Sequence, residues 1–332
     1  MLQTIKGGNM RKHQSVPIVK INLHQHNMDQ FLRCPYKYYL ANVLKYRLRV
    51  LKKALNIGSL FAQCVYFLHK GEGIATCMAY VEKIQKPLME KATSQEQIDT
   101  LETSIRIVQS MLFGYETRFL SKDKIKVTRY NKEGGIDGFD EIKIQKITPE
   151  YKLGIPIVVG NYHFNYINRL DGRITTEKNP WILEIKTTTL IDGNLLKKLN
   201  TNFQINSYWY AMLFNDEQKI DGVLYRYIRK PSIKQNKNET LDKFRIRMSK
   251  DYQQRPEFYF YEESLCFNHQ ILPFVKDLHS HFEELTRCYV TGIWTKKGTA
   301  CDANFGLCEY LRYCGNPTEQ ALKTYYEKEV IL

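Results

Sequence analysis

The sequence predicts an α/β protein built on one mixed sheet, and three observations lead there. Helical periodicity dominates up to about Tyr115, a two-residue period replaces it between Ile142 and Lys186, and the chain then alternates helix, strand and helix. No internal repeat and no low-complexity linker divides the 332 residues. Hydrophobic residues at 43% and charged residues at 25% supply ordinary material for a core, which excludes wholesale disorder and collagen-like or coiled-coil classes.

The elements follow in order. Residues 1–26, rich in Lys, His, Gln and Asn, lack sustained periodicity and read as a loose arm with one short strand at Val16 to Ile21. From Asn27, read as an N-cap, the apolar residues Met28, Phe31, Leu32, Tyr38, Tyr39 and Leu44 recur at helical spacing, broken at Pro35. Leu60, Phe61, Cys64, Val65 and Leu68 mark a second helix that stops at Gly71 to Gly73. Ile98, Leu101, Ile105, Val108, Leu112 and Tyr115 step by three and four, the stripe of a long buried helix. After a loop at Asn131 to Asp140, strands are expected at Ile142 and Ile144, at Ile155 to Val159, at Phe164 to Ile174 and at Trp181 to Lys186. Asn202 opens a helix through Tyr208 and Met212, and Val223, Tyr225 and Tyr227 alternate as a further strand. Pro231 to Arg255 is polar and Lys-rich and reads as a surface loop. Phe258 to Tyr261 reads as a last strand and His269 to Val290 as a last long helix, before a cysteine-rich tail.

Lys and Arg outnumber Asp and Glu by 49 to 35, a formal charge of +14 spread along the whole chain, whose simplest partner is a polyanion such as DNA or RNA. No apolar run approaches the roughly 18 residues of a membrane span, and the opening MLQTIKGGNMRKHQ has no apolar signal core, so a cytoplasmic location is expected. Eight cysteines are too few for a disulfide scaffold at this length, so clustered ones point to metal.

The chemistry concentrates in Phe164 to Lys186, where Asp171 sits late in one expected strand and Glu184 and Lys186 lie in the next. Glu184 and Lys186 are two apart and share a sheet face, while Ile185 points to the other. Burying such a pair costs several kcal/mol unless it is paired or binds metal. Two carboxylates one sheet spacing apart suit Mg²⁺ or Mn²⁺, and a nearby ammonium can orient or deprotonate a water for attack on a phosphodiester. A surface hairpin carrying a Glu–Lys ion pair is the alternative. Gln204 and Tyr208, an i, i+4 pair, read equally as a contact on a helix surface.

With Asp171 followed by Glu184-Ile185-Lys186-Thr187 and then Gln204-x3-Tyr208, the chain from about Asn27 to Pro317 resembles the PD-(D/E)XK nuclease superfamily, in particular its RecB-like exonuclease branch. The resemblance implies a restriction-endonuclease-like core, a mixed central sheet flanked by helices, with an N-terminal helical region and a C-terminal cysteine-rich tail. It implies a single nuclease domain at 27–320, with residues 321–332 as a tail. It also implies Mg²⁺ or Mn²⁺ held by Asp171 and Glu184, catalysis with Lys186, and positioning by Gln204 and Tyr208. The family usually carries GxxxH on an early helix, whose His is a metal ligand; here the stretch is Gly58-Ser59-Leu60-Phe61-Ala62, and alanine cannot ligate. His69, seven residues and about 10 Å further along, is no direct replacement.

Cys301, Cys308 and Cys314 have C-x6-C-x5-C spacing, and thiols packed as small hydrophobes would serve as well as a metal site. Cys34, in CPYKYYL, matches the family's first cluster ligand, so the resemblance implies a [4Fe-4S] cluster on Cys34, Cys301, Cys308 and Cys314, with Zn²⁺ as the alternative. Such a staple would close a loop of over 260 residues. Tyr36-Lys37-Tyr38, Tyr225-Arg226-Tyr227 and Tyr310 to Tyr313 interleave rings and cations as single-stranded nucleic acid requires, although alternating Tyr and Arg in a strand also fits one packed and one solvated face. Lys197, Lys198, Arg226, Arg229 and Lys230 flank the site and are the expected DNA contacts. The expectation is a metal-dependent deoxyribonuclease, an exonuclease acting on DNA ends in phage or bacterial replication, recombination or repair, alone or with a helicase or recombinase. The alternatives are a catalytically weak DNA-binding accessory protein of the same fold and a zinc-stabilised RNA-processing nuclease.

Overall fold

In a computed structural model, residues 17–48, 56–92, 94–130, 136–191, 199, 202–216, 219–267, 270–302 and 307–328 are described. A mixed sheet runs in the order β3-β4-β5-β6-β7-β8, with β1 attached to β5. Its strands are β1 (Val19–His24), β3 (Lys124–Tyr130), β4 (Ile136–Val159), β5 (Tyr162–Thr176), β6 (Trp181–Thr188), β7 (Gly222–Arg229) and β8 (Phe260–Cys266). β5 is antiparallel to β4 along almost its whole length, from Tyr162 to Thr176. Its other edge is divided: residues 162–167 pair in parallel with β1, and residues 172–174 pair antiparallel with β6. β6 and β7 are parallel, as Ile182↔Val223 and Glu184↔Tyr225 illustrate.

Helices cover both faces. On one lie α3 (Ile57–His69), α4 (Gly73–Glu90), α5 (Gln95–Tyr115) and α7 (Leu241–Gln254), whose buried residues join Ile174, Leu183, Ile185 and Leu224 in one core. On the other lie α1 (Gln25–Arg33), α6 (Phe203–Asp216) and α9 (Leu272–Thr291), packed on Leu170, Ile182, Val223, Tyr225 and Tyr227. Adjacent residues of β6 therefore serve different cores, as a strand buried on both faces requires.

Several expectations are corrected. The strand expected at residues 16–21 falls at Val19–His24, where it pairs with β5, so these residues belong to the sheet instead of a loose arm. The N-cap of α1 is His24, and Asn27 sits one turn in, its Oδ1 accepting from the His24 N–H at 3.2 Å. The stretch 231–255 contains α7, begun by Thr240, whose side chain accepts from Lys243 N–H, and anchored by Phe244, Met248 and Tyr252 at four-residue steps. Only those three side chains are buried, which leaves the helix as polar as a loop. The same thin stripe hides α4, where Cys77 and Val81 alone are buried and Pro87 interrupts the pattern. Residues 321–328 are part of the fold: α11 (Glu319–Tyr325) leads into β9 (Tyr326–Lys328), which pairs antiparallel with β2 (Tyr46–Leu48). Tyr326 and Tyr310 stack at 5.4 Å in a small core with Leu40 and Ala41, holding the chain's last described residues against the segment after α1.

Candidate active site

Asp171 lies where β5 passes from β1 to β6 along its divided edge. Continuing the register Gly172↔Leu183 by one residue brings Asp171 opposite Glu184. The Asp171 carboxylate accepts the Ile185 N–H at 2.7 Å, a bond between its side chain and the backbone of the neighbouring strand. Burial first, and the negative charge of Glu184 second, push the Asp171 carboxyl up to about 7, against opposing pulls from Lys186, the Ile185 N–H and Arg169.

Glu184 is 1% exposed. Its Oε1 is paired with the Lys186 ammonium, and its Oε2 has no hydrogen-bond partner. Lys186 donates to Gln204 Oε1 at 3.0 Å, and Gln204 Nε2 donates to the Tyr208 hydroxyl at 2.6 Å. Burial lowers the Lys186 pKa, but attraction to Glu184 and Asp171 outweighs it, and the net shift is upward. α6 is fixed to the sheet beside them. Asn202 caps its start by accepting from Ile205 N–H, and Ser207, fully buried, bonds Asn168 Oδ1 and the Tyr166 hydroxyl, each at 2.7 Å. Burial and the Glu184 charge raise the Tyr208 hydroxyl, which stays neutral.

A cavity of about 510 Å³ opens onto Asp171, lined among others by Ile185, Ala62, Gln63 and His69. α3 is brought to it by Gly58, where an added Cβ would stand 3.0 Å from Thr187 Oγ1 at the end of β6. Ala62 thus faces the space beside Asp171. His69 reaches the same cavity but bonds the Tyr115 hydroxyl at 2.8 Å, and burial, helped by Arg226, lowers it to about 4, so it is neutral at pH 7.

Asp171, Glu184, Lys186, Gln204 and Tyr208 are therefore brought together. The donors present fit a hard divalent cation, since Glu184 is buried with one unpartnered oxygen and the neighbouring Asp171 carboxyl is raised by burial and by the Glu184 charge. Among the described residues no group of three or more His, Cys, Asp or Glu is placed to hold a metal ion. Two carboxylates with waters and a substrate phosphate are the usual complement for Mg²⁺.

The expected DNA contacts divide. Lys197 and Lys198 lie outside the described residues. Arg226 is corrected: it is fully buried, its Nε donating to Glu262 at 2.9 Å and its Nη1 to the Tyr115 hydroxyl at 3.3 Å, with its guanidinium 4.6 Å from the Phe119 ring centre. Tyr225 and Tyr227 are buried on the opposite face, so both faces of this strand are packed, against the expectation of one solvated face. Arg229 and Lys230 are partly exposed at the end of β7, Arg229 lying 4.0 Å over Phe258.

Cys308 N–H donates to Cys301 C=O at 2.8 Å, and Cys308 and Cys314 pack beside Tyr310 and Tyr326. Burial raises the Cys314 thiol, and Cys308, Cys34 and Cys301 act in the same direction, but these four cysteines, all described, are not brought together as a group placed to hold a metal ion. Cys64 and Cys77, by contrast, are wholly buried between α3 and α4.

The order of strands, the flanking helices and the paired carboxylates beside a lysine define a protein of the restriction-endonuclease-like class. A profile of the PD-(D/E)XK nuclease superfamily matches residues 25–315, and the chain belongs to that superfamily. No curated protein matches the sequence. Among solved structures it is similar to one titled "Crystal structure of SSO0001", at 13% identity and TM-score 0.25, over 50% of this chain and 55% of that one. The chain thus spans about half the length of that protein. No helix among the described residues is long and apolar enough to cross a membrane.

Proposed function

We propose that the protein is a Mg²⁺- or Mn²⁺-dependent deoxyribonuclease, an exonuclease acting on DNA ends in replication, recombination or repair. The observation that carries this reading is the Glu184 carboxylate, 1% exposed and ion-paired with Lys186, beside a second carboxyl whose pKa its charge helps to raise to about 7. Two neighbouring carboxyls are costly to ionise together in such a place unless a further cation joins them. When bound, the divalent ion would supply Lewis acidity at the scissile phosphate.

In this reading Asp171 and Glu184 hold the ion. Lys186, kept protonated by the two carboxylates, stays an ammonium at neutral pH, so it orients the attacking water and offsets charge on the phosphate instead of taking a proton. Gln204 fixes the Lys186 ammonium, and Tyr208 supports Gln204. Water oxygen bonds to phosphorus, the bond from phosphorus to the leaving oxygen breaks, the attacking water gives a proton to solvent, and the leaving oxygen takes one up from solvent to depart as an alcohol. The basic chain, with Arg229 and Lys230 beside the end of β7, offers the DNA backbone its counter-charges. Action in the cytoplasm, with a helicase or recombinase at the same DNA end, belongs to this reading.

The Cys34, Cys301, Cys308 and Cys314 thiols are proposed as ligands of a [4Fe-4S] cluster on the strength of the sequence resemblance, a reading that requires them to draw closer together than they stand without metal. Anaerobic purification with iron and zinc analysis separates the cluster from Zn²⁺ and from packed thiols. Digestion of end-labelled single- and double-stranded DNA with Mn²⁺, against Lys186→Ala, tests the enzyme. Wild-type inactivity with every divalent metal overturns it. The second reading, a DNA-binding accessory protein that cleaves weakly, is favoured by Ala62, which offers the cavity beside Asp171 no ligand.

A further inference from the structure

One side of the sheet holds a hydrogen-bond donor and an acceptor that stand next to each other unjoined. Tyr225 is 1% exposed, and its hydroxyl has no hydrogen-bond partner among the described residues. Glu184 is as deeply buried; its Oε1 is paired with Lys186, and its Oε2 has no hydrogen-bond partner. In the parallel pairing of β6 with β7 these two residues are direct partners, Glu184↔Tyr225. Paired residues of neighbouring strands project from one face of a sheet, here the face that α6 and α9 cover.

The other phenols of this layer are already engaged. The Tyr208 hydroxyl accepts from Gln204 at 2.6 Å, and the Tyr166 hydroxyl is bonded to Ser207 Oγ at 2.7 Å. Tyr225 is held differently, by its ring, which stacks on Tyr227 with centroids 5.8 Å apart and planes 8° from parallel. Burial raises the Tyr225 hydroxyl and the Glu184 charge raises it further, so the phenol keeps its proton and stays a donor. Of the other unpartnered atoms on this side, Asn168 Nδ2 is itself a donor and Thr286 Oγ1 lies on α9. Glu184 Oε2 is the acceptor that stands opposite Tyr225 in the register.

A buried hydroxyl and a buried charged oxygen each oppose folding while they lack a partner. Carboxylates that ligate a metal are, in turn, held by hydrogen bonds from neighbouring groups. We propose that Tyr225 is a positioning residue of the metal site, its hydroxyl donating to Glu184 when a divalent cation holds that carboxylate. The inference rests on the metal-dependent reading above and deepens it. Tyr225 touches neither the ion nor the DNA; it acts through Glu184, by limiting how the carboxylate can turn. Because the hydroxyl is unpaired until then, its contribution appears in metal affinity and not in the stability of the metal-free fold.

The test measures Mn²⁺ affinity by calorimetry, and thermal unfolding in EDTA and in Mn²⁺, for the full chain, Tyr225→Phe and Tyr166→Phe. Phenylalanine keeps the ring and removes the hydroxyl alone. Tyr225→Phe is expected to weaken Mn²⁺ binding about tenfold. In EDTA it should unfold at or above the wild-type temperature, since an unpaired buried hydroxyl is gone, and the rise on adding Mn²⁺ should be smaller than in wild type. Tyr166→Phe strips Ser207 of a partner, so it should unfold earlier in EDTA, which is the signature of a structural hydroxyl. DNA cleavage by Tyr225→Phe should be slow at low Mn²⁺ and approach the wild-type rate as Mn²⁺ is raised. Tyr225→Met, which also lacks the hydroxyl, should repeat the loss of affinity and stands in if the phenylalanine variant does not fold. Wild-type Mn²⁺ affinity in these variants overturns the proposal, as does a Tyr225→Phe protein that unfolds early in EDTA with an unaltered rise in Mn²⁺. If the wild type binds Mn²⁺ and Tyr225→Phe binds it weakly, yet neither cleaves DNA, Tyr225 keeps its place in the metal site and the nuclease reading falls instead.

Discussion

Lys186 Nζ donates to Gln204 Oε1 at 3.0 Å, tying β6 to α6 at the place where Glu184 is buried. The ammonium is held by a neutral amide on one side and a carboxylate on the other. Its position is thereby fixed without its charge being cancelled twice.

From this arrangement, Lys186→Ala should lower kcat at least about 100-fold, the usual worth of a positioned proton-handling or charge-stabilising group. Gln204→Ala should cost less, about tenfold, because Glu184 still holds the lysine. Single-turnover cleavage measures both. Wild-type rates in Lys186→Ala would remove the lysine from the chemistry.

The pH dependence of the metal-free protein follows from Asp171, whose carboxyl rises from 3.8 to about 7 on folding. The folded state therefore binds the proton more tightly. Its contribution to stability is complete below about 4 and is lost as pH rises through about 7. In EDTA, the midpoint of urea unfolding should fall between pH 4 and pH 7, and Asp171→Asn should flatten that slope. Mn²⁺ affinity should run the opposite way, rising with pH up to about 7, since the ion displaces the proton.

Arg226→Ala should destabilise the fold by about 3–5 kcal/mol, because it empties the space of a wholly buried side chain and removes one of the two cations paired with Glu262. Arg226→Met loses the same ion pair but leaves less empty space, and should cost less. Urea unfolding reads both effects. DNA affinity of the folded fraction should be unchanged, since Arg226 is fully buried.

Ala62→His places an imidazole in the cavity beside Asp171. It should tighten Mn²⁺ binding about tenfold, as read by calorimetry. Unchanged affinity would mean that α3 does not approach the ion.

Much of the site was legible because its pieces lie in long periodic segments. Asp171, Glu184, Lys186, Gln204 and Tyr208 fall on β5, β6 and α6, whose apolar patterns are strong, and strand alternation put Glu184 and Lys186 on one face. Arg226 was misread because alternation cannot distinguish a solvated face from a second core. Its burial depends on Tyr115 and Glu262, 111 and 36 residues away. His24, Gln25 and His26 carried no signal at all, since polar residues in a short strand and a helix start look like a tail. Only the parallel pairing of β1 with Tyr162 to Ile167 brings them beside Gln204. α7 was lost for the related reason that three buried side chains in fourteen residues give little periodicity.

The divided edge of β5 makes the amino-terminal strand a seal. A chain that began after His24 would leave the N–H and C=O groups of residues 162–167 without a neighbour on that side. An uncovered edge of this kind is a template for another molecule's strand. Shortening the protein from its front would therefore turn an interior seam of the sheet into a surface on which copies aggregate.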